Sequence, residues 1–271
     1  MKRIFTLLLS IMVLLAGCNT NAMTSDNEAA EAKQMEDLTK QDIPAEFFPI
    51  DLNVVSIGDS LTQGVGDTTE SGGYIPYLEK LLEEHRSINY TSFINYGVKG
   101  NRSNQLLERL NMDKVKNAVT ESDLVIITIG GNDIMKVVRS NFTKLNVAAF
   151  EKEQDVFEDN LNTILHTIRE YNPNSTVLLV GLYNPFLEWF SSIKELSLIM
   201  RQWNIASQQV LGEYENMYFV NVDDIFETSE ENLLFTDHFH PNDRGYELMA
   251  GRIYQVLDQI GIKSVIENKE N

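Results

Sequence analysis

Cysteine is nearly absent: Cys18 is the single one in 271 residues, so no disulfide can brace the domain that follows it. Basic residues are scarce, with 22 Lys and Arg against 40 Asp and Glu and a formal charge of −18. That balance argues against a nucleic-acid partner, because phosphate backbones are held by clustered Lys and Arg. Its ordinary consequence is solubility. No apolar run reaches the roughly 20 residues that a membrane-spanning helix needs, and no repeat of solenoid or propeller length is visible. What is present suffices for a globular fold. Hydrophobic residues make up 43% of the chain and aromatics 9%, enough for a substantial core and too much for wholesale disorder. One catalytic-size α/β domain is the expectation at this length.

The amino terminus reads as a targeting segment. Lys2 and Arg3 precede an apolar run over residues 4–16 that ends in Leu15-Ala16-Gly17-Cys18, the layout of a secretory signal rather than of a membrane span. The tetrad resembles the lipobox of bacterial lipoproteins, in which the Cys is diacylated and becomes the first mature residue. A lone Cys abutting such a run is a poor candidate for a buried core thiol. Cleavage there removes Lys2 and Arg3 and takes the formal charge from −18 to −20. Residues 19–48 then shift to Asn, Thr, Ala, Glu, Asp and Lys without a sustained apolar face, although a short helix over 29–38 is compatible with them. We read an acidic tether, roughly 30 Å from end to end if it is a flexible coil. The expected organisation is a signal peptide over 1–18, the tether over 19–48 and a folded domain over 49–271, lipid-anchored on the outer side of the cell membrane.

Past residue 48, short continuous apolar runs alternate with longer amphipathic stretches. This is the pattern of parallel strands buried on both faces and joined by crossover helices. Strands are predicted over 52–57, 88–95, 124–129, 176–180 and 217–222. Helical stripes follow at Ile75, Leu78, Leu81 and Leu82, at Leu161, Ile164, Leu165 and Ile168, and at Tyr246, Met249, Ile253 and Val256, each spaced to cover one helix face. The fold class is α/β: a doubly wound three-layer α/β/α sandwich with five parallel strands in the order 2-1-3-4-5. In such sheets ligands bind beyond the carboxyl ends of the strands.

Those strand ends carry the chemistry. Gly58-Asp59-Ser60-Leu61 follows the first strand. A serine hydroxyl becomes a nucleophile only when a base takes its proton, and alone Ser60 reads equally as a turn residue capping a helix. After the second strand, Gly97-Val98-Lys99-Gly100-Asn101 offers at Gly100 either an N–H that a substrate oxygen can approach or a plain turn. The third strand ends in Gly130-Gly131-Asn132-Asp133. Here the Asn132 amide can aim a donor at a developing oxyanion; an Asx turn is the plainer reading. Beyond the fifth strand comes Asp237-His238-Phe239-His240-Pro241, with Asn242 opening the last helix. In one turn of chain Asp237 and His240 share a side and can hydrogen-bond, so that His240 serves as base and Asp237 fixes its tautomer. His238 is the rival base, pointing away from that side. His85 and His166 lie within helical stretches and read as ordinary positions. Asp237, His238 and His240 are also a compact set of potential metal ligands, but a metal leaves Ser60 and Asn132 without a role. Neither a metal nor a cofactor is expected.

Taken in order, these blocks resemble the GDSL, or SGNH, hydrolase superfamily, named for Ser, Gly, Asn and His. Ser60 falls in the first block, Gly100 in the second, Asn132 in the third, and Asp237 with His240 in the Asp-x-x-His block, over about residues 52–260. The resemblance implies the flavodoxin-like SGNH fold and a serine nucleophile at Ser60 with Asp237 and His240 completing the triad. It also implies an oxyanion hole of the Ser60 N–H, the Gly100 N–H and the Asn132 side chain. A nucleophile elbow is disfavoured, since no glycine stands two residues after Ser60. The family spans lipases, esterases, lysophospholipases, thioesterases and carbohydrate deacetylases. Bulky side chains between Tyr183 and Phe190, and a long connection over 134–150, suggest an acyl groove, so an acyl or lipid ester is the first expectation for a substrate and an acetylated cell-wall sugar the second. Packing those aromatics onto the sheet is an equal alternative. An inactive ligand-binding lipoprotein and an acidic docking module remain as readings of other classes.

Overall fold

The computed structural model describes residues 48–140, 146–186 and 194–265. Cys18, the tether and the short helix considered over 29–38 lie outside the described residues. The compact unit runs Phe48–Asn271. Its chain order is β1 (Ile50–Gly58), α1 (Ser60–Gln63), α2 (Ile75–Glu83), β2 (Ile88–Gly97), α3 (Ser103–Leu110), α4 (Asp113–Glu121), β3 (Leu124–Thr128), α5 (Gly131–Ser140), α6 (Val147–Tyr171), β4 (Thr176–Val180), α7 (Lys194–Leu211), β5 (Met217–Val220), α8 (Asp223–Thr228) and α9 (Asp243–Ile260).

The five strands form one parallel sheet in the order β2-β1-β3-β4-β5. Chain reversal at β1, which is flanked by β2 and β3, makes the switch point of a doubly wound sheet and opens a crevice beyond its carboxyl end. Alternation along each strand feeds two cores. Val55, Ile57, Val125, Ile127, Val177 and Leu179 face α3 to α7, where Leu106, Val119, Phe157, Leu161 and Trp203 pack. Leu52, Val54, Leu124, Ile126, Leu178 and Val180 face α2 and α9, with Leu78, Leu82, Tyr246, Met249 and Ile253. Leu124 to Ile127 are wholly buried, which explains why β3 is apolar at every position instead of alternating.

The strands fall where the apolar runs place them, and the helical stripes lie in α2, α6 and α9. One expectation changes. The stretch over 134–150 is not one loop: residues through Ser140 continue α5 and Val147 opens α6, because Ile134 and Val137 bury a helical face. Residues 141–145 lie outside the described residues.

Candidate active site

Ser60, Gly100, Asn132, Asp237 and His240 all line one cleft of about 550 Å³ at the carboxyl edge of the sheet, within the size range of small-ligand sites. β1 ends at Gly58, and the backbone turns at once into α1. The Asp59 carboxylate accepts the Leu61 N–H at 3.0 Å, capping that turn and setting Ser60 at its first helical position. The Ser60 N–H therefore has no carbonyl behind it.

His240 Nε2 lies 2.9 Å from Ser60 Oγ, and its Nδ1 lies 2.6 Å from Asp237 Oδ2. Asp237 Oδ1 also accepts the N–H groups of Phe239 and His240, each at 3.0 Å. Burial pushes the Asp237 carboxyl upward, but hydrogen bonds from the His240 ring and from these two N–H groups outweigh it and hold it below the usual carboxylate range. An ionised carboxylate only accepts, so Nδ1 carries the proton and Nε2 presents its lone pair to the Ser60 hydroxyl. His240 is 7% exposed. His238 is exposed at the rim of the same cleft with φ of 54°, and it is the His240 ring that meets Ser60. Asn242 caps α9 by accepting the Gly245 N–H, and the Tyr183 hydroxyl donates to the Phe239 carbonyl at 2.6 Å, steadying the loop that carries the imidazole.

The other two strand ends converge on the same point. Gly100 has φ of 81° with open space where a side chain would begin, so its backbone borders the cleft directly. Asn132 opens α5. Its Nδ2 donates one hydrogen to the Asn101 carbonyl at 3.0 Å, which fixes the amide and leaves the second hydrogen for a ligand. These two loops are tied together below the cleft. Asp133 accepts the Ser103 hydroxyl at 2.6 Å and the Ser103 N–H at 3.1 Å, and Asn160 donates to Ser103 Oγ at 2.9 Å.

Two supports carry little or no signal in the sequence. Arg109 on α3 donates to the Gly58 carbonyl at 3.2 Å, to Asn101 Oδ1 at 2.9 Å and to the Tyr96 carbonyl, bracing the ends of β1 and β2 and the Gly100 loop with one guanidinium. In sequence it sits in an amphipathic helix like any surface arginine. Thr128, the last residue of β3, donates to Asp59 Oδ1 at 2.8 Å and lies 2.8 Å from Thr62 Oγ1. A polar residue closing an otherwise apolar strand was the one available hint.

Asp59 is buried beneath Ser60, and that burial pushes its carboxyl up to about 7, with the Leu61 and Thr128 hydrogen bonds pulling the other way and the charge of Asp133 adding to the rise. Between an ordinary pKa near 3.8 and about 7, the folded protein holds a proton that the unfolded chain has lost. Stability from this group is thus full below the lower value and drains as pH rises to the upper, about 4 kcal/mol in all. Thermal unfolding at pH 4.5, 6 and 7.5 checks this. Asp59→Asn should gain stability relative to the parent as pH rises; parallel profiles for the two proteins would refute it.

Of the bulky residues between Tyr183 and Phe190, Phe186 lines the cleft. Tyr183 is buried and stacks on Phe226 with ring centroids 3.9 Å apart, as the packing alternative has it. Residues 187–193 lie outside the described residues. Among the described residues no group of three or more His, Cys, Asp or Glu is placed to hold a metal ion.

A doubly wound sandwich whose switch point carries a Ser-His-Asp hydrogen-bonded series defines a class of hydrolase-like α/β proteins. The profile described as the GDSL-like lipase/acylhydrolase family matches residues 56–248, and the chain belongs to that family. The uncharacterized protein YpmR of Bacillus subtilis is 34% identical over 264 residues, 96% of this chain and 98% of its own length. The spore germination lipase LipC of Bacillus licheniformis is 28% identical over 74% of this chain and 94% of its own length. Among solved structures, the lipase Lip_vut3 from a goat rumen metagenome superposes with a TM-score of 0.68 at 26% identity, covering 75% of this chain and 96% of that one. The prokaryotic membrane lipoprotein lipid attachment site matches residues 1–19. Among the described residues no helix is long and apolar enough to cross a membrane.

Proposed function

We propose that the chain is a serine hydrolase of carboxylic esters that works through an acyl-enzyme. The observation that carries this reading is the unbroken series Asp237, His240, Ser60, with its two hydrogen bonds of 2.6 and 2.9 Å, opening on a cleft. As Ser60 Oγ attacks the ester carbonyl, His240 Nε2 takes the hydroxyl proton and Asp237 stabilises the imidazolium. The carbonyl oxygen becomes negative and is received by the N–H groups of Ser60 and Gly100 and by the free hydrogen of Asn132 Nδ2. Each such donor is worth about 2.7–4 kcal/mol in a transition state. The intermediate collapses by breaking the bond to the alcohol oxygen, which leaves with the proton from His240. Water, deprotonated by His240, then releases the acid and restores Ser60. No metal or cofactor enters this scheme.

The substrate reading is an acyl or lipid ester. Met135, Phe186 and Phe239 give the cleft an apolar wall, and LipC is a lipase by description. Fluorophosphonate labelling tests the mechanism: the probe should attach to Ser60, and its attachment elsewhere, or not at all, contradicts it. A p-nitrophenyl ester series from acetyl to long-chain acyl then separates an acyl-ester substrate from an acetylated sugar. Turnover at no length favours a ligand-binding lipoprotein.

Cys18 is proposed as the lipidated residue, with residues 19–48 as the tether holding the domain outside the cell membrane. Cells expressing the Cys18→Ser chain should incorporate no palmitate label into it and release it from the membrane fraction. Undiminished labelling sinks the anchor.

A further inference from the structure

The charge of the cleft runs against that of the chain. Among the described residues, apart from Asp237, which is engaged with His240, the fixed charges lining it are Lys99 and Arg139, in a protein where 40 acidic residues face 22 basic ones. Of the cations away from the cleft, four are held by carboxylates: Lys136 by Glu153, Arg201 by Glu227, Arg244 by Glu231 and Glu247, and Arg252 by Asp224. Among the described residues, neither the Lys99 ammonium nor the Arg139 guanidinium has a hydrogen-bond or ion-pair partner.

The backbone places both groups. Lys99 directly precedes Gly100, and its own N–H is held by Gln63 Oε1, so the lysine stem springs from the lip of the cleft. On α5, Asn132, Met135 and Arg139 stand at i, i+3 and i+7, the spacing of one helix face, and all three line the cleft. Arg139 Cα is about 10 Å along the helix axis from that of Asn132. Met135, Phe186 and Phe239 form the apolar part of the wall between and beside them.

Two cations against an apolar wall focus a positive potential over a few ångströms, within the Debye length of physiological salt. The acidic remainder of the domain repels extended anionic surfaces. A small anion is attracted, a neutral ester gains nothing from the pair, and the apolar wall asks for a hydrocarbon chain on the same molecule. The geometry points to an amphiphilic anion as the ligand of this cleft: an ester whose apolar chain lies along Met135, Phe186 and Phe239 while a phosphoryl or carboxylate group is held by Lys99 and Arg139. The word ester rests on the hydrolase reading above; the anion preference does not.

Binding is therefore measured without turnover, on the full-length chain carrying Ser60→Ala, by titration calorimetry with n-octyl phosphate, octanoate and octan-1-ol below their micellar concentrations. At least one of the two anions should bind about tenfold or more tightly than octan-1-ol, as expected for a charge-assisted contact, and the preference should shrink with added salt. The octyl phosphate to octanoate ratio tells which anion the pair selects. Combining Lys99→Gln with Arg139→Gln should reduce the preference at least several-fold, and Lys99→Arg should retain it; both side chains are exposed, so an unchanged thermal midpoint accompanies the change. Equal binding of octan-1-ol and both anions, or a preference that survives the double substitution, overturns the inference. With Ser60 intact, lysophosphatidic acid should be hydrolysed with higher kcat/KM than the monoacylglycerol of the same acyl chain. Failure to hydrolyse either ester, with the binding preference intact, defeats the hydrolase reading alone.

Discussion

Replacing Ser60 with Ala should lower kcat/KM toward p-nitrophenyl esters by a factor on the order of 10⁴ to 10⁶ and abolish fluorophosphonate labelling. The size follows from what is lost. The side chain places its hydroxyl 2.9 Å from His240 Nε2 at the head of the cleft, and a water in its place has neither the position nor the covalent step. Residual rate should come from the donors that remain, the N–H groups of residues 60 and 100 and the amide of Asn132. On the proposed mechanism Ser60 and His240 act as a unit, so His240→Ala should cost about as much as Ser60→Ala, and the double variant little more than either. Circular dichroism of the variants should match the parent, and Ser60→Ala, which removes a single hydroxyl, should keep the parent's thermal midpoint, whereas His240→Ala also gives up the ring's hydrogen bond to Asp237. A Ser60→Ala protein retaining a tenth or more of the parent kcat/KM would eliminate Ser60 as nucleophile, and a double variant far worse than either single one would show that the two residues do not act on one step.

Much of this site is legible in the sequence, and the physical reason is the sheet. A strand buried on both faces must be apolar throughout, so 124–128 and 176–180 announce themselves, and the polar residues that interrupt the pattern immediately afterwards are confined to the carboxyl edge. Asp237 and His240 are three residues apart, which makes their contact a local matter of one turn. The 2.9 Å approach of His240 to Ser60 is different: the two are separated by 180 residues, and only the strand order 2-1-3-4-5 brings them together. Supports that act through backbone carbonyls were invisible. Arg109 binds the carbonyls of Gly58 and Tyr96, and a carbonyl leaves no trace in residue identity. Likewise the buried state of Asp59 depends on Thr128 and Thr62 closing over it, a three-body arrangement that no spacing rule encodes.

Gly58→Ala should be among the most damaging single-methyl changes at the described residues. The residue ends β1 with φ of 145°, and a Cβ added there would stand 2.1 Å from the Thr128 carbonyl oxygen and 2.7 Å from Thr128 Oγ1. Backbone is what it strikes, so no rotamer change relieves it. Retreat is also blocked, because the Gly58 carbonyl accepts the Val98 N–H at 3.0 Å and Arg109 at 3.2 Å, while the Asp59 N–H holds the Thr128 carbonyl at 3.0 Å. Backbone strain of about 1–3 kcal/mol adds to overpacking of about 1–3 kcal/mol, a large share of the roughly 5–15 kcal/mol by which domains are stable. Denaturant unfolding should register a loss of about 2–6 kcal/mol. Activity per folded molecule should fall as well, because prising β1 from β3 displaces Ser60, two residues on, from His240. Gly100→Ala is the matched comparison: its φ of 81° is also glycine-like, but nothing lies within 4 Å of the added carbon, so only the strain is incurred and the stability loss should be smaller. If Gly58→Ala unfolds within about 1 kcal/mol of the parent, inside the range of an ordinary surface change, the close approach of β1 and β3 is not what fixes Ser60. On the present geometry the Gly and the Ser of Gly58-Asp59-Ser60 answer to different demands. The first lets two strand ends touch, and that contact sets the third where an imidazole from the far end of the chain can reach it.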